Sequence, residues 1–141
     1  MKSIMYHYVR NSNKEFPYFR YLSVDNFSKQ LDYFQSNHGF VTFDNLLNIK
    51  NKDYFNNTKN KVLLTFDDGF KDHYKYVLPE LIKRKLFGIF YVPTGVYEKE
   101  KALDVHRIHY LLGKIGGKIL INLIESKIDS LFTGFHPLYL S

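Results

Sequence analysis

The residues most able to do chemistry are two adjacent carboxylates, Asp67 and Asp68, followed by Gly69 at the end of the apolar run in KVLLTFDDGF. Neighbouring carboxylates can divide labour. One can ligate a divalent cation while the other, turned away from it, accepts a proton from an attacking water. Gly69 lets the backbone turn sharply beside them. The same residues also suit a plain acidic turn in which Asp68 caps the following helix. Spacing alone does not choose between the two readings.

Other titratable residues invite weaker readings. His106 and His109 in DVHRIH are spaced i, i+3, which places them on neighbouring faces of a helix. They would either ligate a metal or serve as structural residues. The structural reading is preferred, with His109 packed in the stripe of Val105, Ile108 and Leu112 and His106 near its rim. His7 would face a pocket from the end of the first apolar segment or hold a backbone partner. Asp72 and His73 follow the acidic turn closely enough to invite a ligand role, but helix capping by Asp72 and surface exposure of His73 are the preferred readings.

These residues need elements to position them. SIMYHYV is short, aromatic and β-branched, and reads as a first strand. A helix follows in SVDNFSKQLDYFQSNHGF, with Ser23 or Asp25 as cap, Phe27, Leu31 and Phe34 inward, and Gly39 as the stop. Thr42 would cap a second, short helix burying Phe43, Leu46, Leu47 and Ile49, and the Asn- and Lys-rich residues 50–60 read as a loop. The run Val62 to Phe66 is apolar throughout, as a strand covered on both faces must be. A helix over DHYKYVLPELIKRK would turn Val77 and Leu81 inward, and Leu78 and Ile82 with them, with Pro79 imposing a start or an irregular first turn. FGIFYVP is then a further strand. Strand, acidic turn, helix and strand make a βαβ unit and hence a parallel sheet, in which ligands bind at the carboxyl ends of the strands. Beyond Thr94 the texture changes, with a polar link GVYEKEKA and then a helical pattern. LDVHRIHYLLGK would be capped by Asp104, and after Gly116 and Gly117 the residues Leu120, Ile121, Ile124, Ile128 and Leu131 recur at helical spacing.

In this context VLLTFDDGF...VLPELIKRKLFGIFYVPTG, with the opening IMYHYV, resembles the polysaccharide deacetylases, the NodB-homology or family-four carbohydrate esterases. The resemblance runs from about Ile4 to Gly95. It implies an α/β fold, an incomplete distorted (β/α) barrel of the NodB-homology type with its first strands and helices only and a helical C-terminal segment. Residues 1–141 would form one partial domain, with 1–95 family-like and 96–141 a helical insertion or truncated end. The resemblance further implies a hydrolase acting on non-peptide C–N bonds that removes acetyl groups from amino sugars of a surface or envelope glycan. Asp67 would match the general base and Asp68 the metal-ligand aspartate, with a divalent metal, zinc in most members, polarising the acetyl carbonyl. The family's second motif, H-(S/T)-x-x-H, has no match, nor have its later motifs, and His136 in GFHPLY does not supply one. A complete barrel takes at least about 200 residues. The chain is therefore expected to be the N-terminal part of a longer deacetylase, the alternative being a non-catalytic remnant or interaction module that keeps half of the fold.

Composition bounds the rest. The chain has 141 residues, 45% hydrophobic and 24% charged, with 18% aromatic residues, which excludes disorder and two domains of ordinary size. No cysteine is present, so thiolate ligands, disulfides and cysteine nucleophiles are excluded. The net charge of +6 comes mostly from scattered lysines, and no basic helix or arginine cluster argues for nucleic acid. The partner that the resemblance implies is an acetylated polysaccharide or oligosaccharide. The N-terminus lacks an apolar signal-peptide core, and no run is long enough to span a membrane, so a cytoplasmic protein is expected. A strand ending in carboxylates also suits magnesium and phosphate. That third reading lacks a phosphate-cradling glycine loop.

Overall fold

A computed structural model describes residues 1–132. They form two compact units, residues 1–12 with 21–100 and residues 13–20 with those from 101 onward.

The first unit is built on β1 (Lys2–Tyr6), β4 (Val62–Phe66) and β5 (Gly88–Phe90), all parallel, in the order β1-β4-β5. Every residue of β4 is buried, as its unbroken apolar sequence requires of a central parallel strand. Tyr6 lies level with Phe66 and Phe66 with Phe90, so three rings line one face. Phe66 stacks on Tyr6 at 5.5 Å and on Phe90 at 4.8 Å. A second, two-stranded ladder joins β2 (Val9–Arg10) to β3 (Leu22–Ser23), also in parallel.

Helix α1 (Val24–Asn37) starts at Ser23, whose side chain accepts from the Asn26 backbone N–H, and stops where Gly39 adopts φ +70°. Phe27 and Leu31 are fully buried from it against Tyr6 and Phe66. Helix α2 (Phe43–Leu47) has the expected Thr42 cap, completed by the Asn45 side chain into a capping box. Its expected burial fails in part. Phe43 and Leu47 are exposed, and only Leu46 and Ile49 are half-buried, because a five-residue helix leaves one turn to face the core. The expected loop at 50–60 contains helix α3 (Lys52–Thr58), capped by the Asn51 side chain on the Asp53 N–H. Asparagine there is a cap rather than a breaker.

Between β4 and β5 the chain makes a π-helical turn (His73–Val77) and then α4 (Leu78–Arg84). Pro79 explains the change of pitch. It has no N–H to offer the preceding turn, and its ring crowds that turn's carbonyls, so the ladder widens and Leu78 N–H reaches His73 O. His73, Val77 and Leu81 consequently fall on one buried face, while Ile82, expected inward, is exposed. Arg84 ties α4 to α1 through Ser28 Oγ at 2.7 Å, Glu80 at 3.1 Å on its own helix, and the Asp32 carboxylate. Helix α5 (Gly95–Lys99) follows β5.

The second unit contains α6 (Asp104–Ile115) and α7 (Gly117–Phe132), separated by Gly116 at φ +78°. Asp104 is not the cap. Leu103 holds that position, and the Asp104 carboxylate pairs with Arg107 at 3.0 Å. Residues 13–20 lie along α6, where the Tyr18 N–H donates to Gly113 O at 3.0 Å and Phe16 meets Tyr110 at 4.4 Å. Gly113 is buried where Phe19 packs on it and His106 is half-buried, whereas Tyr110 keeps 53% of its surface exposed despite its contact with Phe16. Val105 and Ile108 of the expected stripe are about half exposed. On α7, Ile121, Ile124 and Ile128 are likewise about half exposed. Leu131 of that stripe belongs to residues whose side chains are not described, and His136 lies outside the described residues.

Candidate functional site

Asp67 continues the β1-β4 ladder, its N–H donating to Tyr6 O at 3.0 Å. The pairing ends there. Asp68 takes φ +74° and Gly69 φ +60°, two successive left-handed residues that swing the chain off the sheet. An L-residue costs about 1 kcal/mol in that region, so Asp68 is held against its own backbone preference. Gly69 is required on a second count, since a Cβ there would meet Val92 at 3.0 Å. Both aspartates are half-buried.

The turn brings Asp68 to the end of the neighbouring strand. His7 Nε2, one residue past β1, lies 3.4 Å from Asp68 Oδ2, with side-chain exposures of 38% and 20%. The Asp67 carboxylate has no hydrogen bond or ion pair among the described residues, which suits a proton acceptor. An open apolar pocket of about 270 Å³ borders the turn at Gly69, walled by Phe70, His73, Tyr74, Phe90 and Val92.

Two further residues behave differently from what their sequence suggested. Asp72 caps nothing. Its carboxylate pairs with Arg10, accepting from Nε at 2.7 Å and from a terminal guanidinium nitrogen, which fastens β2 to the π turn. His73 is not on the surface but 3% exposed, with Nε2 2.6 Å from His7 O. Burial pushes its imidazole below the ordinary value of 6.5. The signal was present in the spacing, because His73, Val77 and Leu81 recur at i, i+4, i+8, the buried stripe of the segment.

His106 and His109 lie in the second unit, with ring centroids 6.5 Å apart. The packing expected of them is reversed, since His106 is half-buried and His109 exposed. The segment at 13–20 meets α6 at Gly113, and His106, seven residues earlier, shares that side of the helix.

A structural zinc or similar ion takes four ligands, and a catalytic one at least three from protein. Among the described residues no group of three or more histidine, aspartate or glutamate side chains could hold a metal ion. Asp68 and His7 stand together, but Asp72 is committed to Arg10 and His73 to the His7 carbonyl. The described residues do not by themselves make a metal site. Nor is any of their helices long and apolar enough to cross a membrane.

No family profile and no curated protein sequence matches the chain. Solved structures do. One is the Streptococcus pyogenes deacetylase PplD in complex with acetate, 25% identical, matched over 72% of this chain and 46% of that one with a TM-score of 0.58. Another is IcaB from Ammonifex degensii, 28% identical, over 67% of this chain and 39% of that one, with a TM-score of 0.49. The chain spans less than half the length of these structures.

Proposed function

We propose that this chain, which resembles the polysaccharide deacetylases and their N-terminal part in particular, carries the aspartate half of a deacetylase-like hydrolytic site. The single observation that carries the reading is the Asp67-Asp68-Gly69 turn at the carboxyl end of the central parallel strand, with Asp67 unengaged and Asp68 turned toward His7. In the proposed reaction an acetyl group on an amino sugar of a surface or envelope glycan is hydrolysed. Asp67 accepts the proton of the attacking water, and Asp68 is one ligand of a divalent cation, zinc by preference. Such a cation would supply Lewis acidity toward the acetyl oxygen, and among the described residues no three-donor group that includes Asp68 is assembled.

A cation titration followed by the Asp68 and Gly69 amide resonances tests the assignment. Asp68→Ala is expected to abolish the response and Asp67→Asn to leave it within about twofold, because only the first removes a ligand. An equal response in the wild type and Asp68→Ala removes Asp68 from the role. Acetate release from an acetylated amino-sugar oligomer, with added zinc, then separates a competent chain from an incomplete one.

A second reading is a non-catalytic remnant or interaction module. The absence of a three-donor group among the described residues favours it. Failure to release acetate together with an unresponsive Asp68 would select it.

A further inference from the structure

His73 is the most deeply buried titratable side chain near the site, and the proposed reaction makes no use of it. It sits on the π turn, inside a cage of rings, 5.6 Å from Phe66, 5.6 Å from Phe70 and 6.0 Å from Phe90. Its Nε2 lies 2.6 Å from His7 O. A carbonyl oxygen only accepts, so Nε2 must carry the proton and donate. The depressed basicity of the buried ring leaves Nδ1 bare, and that atom is buried with no hydrogen-bond partner. One tautomer is therefore fixed by the fold. The recipient carbonyl belongs to the residue whose side chain stands 3.4 Å from Asp68.

We propose that His73 is a positioning residue for the carboxylate turn: its Nε2–H holds the His7 carbonyl and so keeps the His7 imidazole against Asp68. The geometry explains why a polar side chain occupies an apolar cage. A hydrogen bond of 2.6 Å, shielded by three phenylalanines, clamps the chain just past β1 to the element that follows the turn. Asp68 lies between these two anchored points, in a backbone conformation that an L-residue leaves unless it is held. Arg10 and Asp72 make a second tie between the same two stretches, so His73 sets the direction of His7 rather than the approach of the segments. The assignment rests on the proposed role of Asp68 for its meaning in catalysis, but its geometry can be tested without metal or turnover.

The test is NMR on the full chain. In the wild type the histidine ring nitrogens of His73 should report the Nε2–H tautomer at neutral pH, and the His7 ring protons should show contacts with the Asp68 β-protons. His73→Phe fills the cage without a donor, and His73→Gln returns an N–H. The His7 to Asp68 contact should vanish in the first and reappear in the second, with β4 amides protected in both. Outer-shell changes of this kind weaken cation binding by about tenfold or more, which the Asp68 amide titration should show for His73→Phe and not for His73→Gln. An Nδ1–H tautomer or a charged ring in the wild type overturns the proposal, even if His73→Phe does not fold. So does an unchanged contact in folded His73→Phe, or its failure to return in His73→Gln. A wild type with the ring contacts intact but no cation response overturns the deacetylase reading alone.

Discussion

Asp68 shows how the demands of a site and of a fold diverge at a single residue. The carboxylate is placed beside His7 only because its backbone adopts φ +74°, where a Cβ crowds the following carbonyl. Removing the side chain alone does not relieve that conflict, whereas removing the Cβ does. Asp68→Gly is therefore expected to be more stable than Asp68→Ala by about 1 kcal/mol in urea denaturation, although both lose the carboxylate. Alanine equal to or better than glycine would show that the turn relaxes once Asp68 is gone. The position of the two aspartates at a strand end was legible in the sequence, because the apolar run stops abruptly in charge. His73 was read as exposed, as a lone histidine near a turn ordinarily is, although its i, i+4, i+8 spacing with Val77 and Leu81 carried the signal of a buried stripe.

At the scale of elements, β5 reaches the sheet only through Gly88. A Cβ at that position would lie 2.8 Å from Phe66 Cε2 and 3.3 Å from Leu81 Cδ1, and Phe66 cannot retreat because Tyr6 and Phe90 stack on its two sides. Gly88→Ala should cost about 1–3 kcal/mol of stability through overpacking, measured by chemical denaturation. A loss below about 0.5 kcal/mol would mean that β5 is not pressed against β4. The parallel pairing of β4 with β5 and the start of α1 near Ser23 or Asp25 could be read in advance, since buried strands and capped amphipathic helices each leave a local pattern, but the place of β1 beside β4 could not. Helix α3 could not, because its Asn and Lys composition resembles a loop, and one asparagine cap decides the matter. The face of α6 that is covered was also hidden, because the covering residues 13–20 lie about ninety positions earlier in the chain.

For the molecule as a whole, an aromatic core that buries the Tyr6 phenol and the His73 imidazole sets limits on both sides of neutrality. Tyr6 is 7% exposed, donates its hydroxyl to Gln30 Oε1 at 2.9 Å, and has its pKa pushed up to about 12 by burial, against 10.0 when unfolded. The unfolded chain thus releases this proton first. Stability from Tyr6 is complete below pH 10 and is lost as pH rises toward 12, by about 2–3 kcal/mol over the interval. Tyr8 shifts in the same direction through burial and then the charge of Asp68. His73 acts oppositely, since its depressed basicity makes the folded state bind its proton later than the unfolded one, and stability falls as pH drops below 6.5. Urea midpoints measured at pH 7, 9 and 11 should hold between the first two and fall at the third. Tyr6→Phe removes the titrating hydroxyl together with its hydrogen bond, so it should start about 1 kcal/mol lower at pH 7 and then lose less than the wild type by pH 11. Parallel losses in the two proteins would move the alkaline limit away from Tyr6 and off the ring stack that joins α1 to the strand carrying the site.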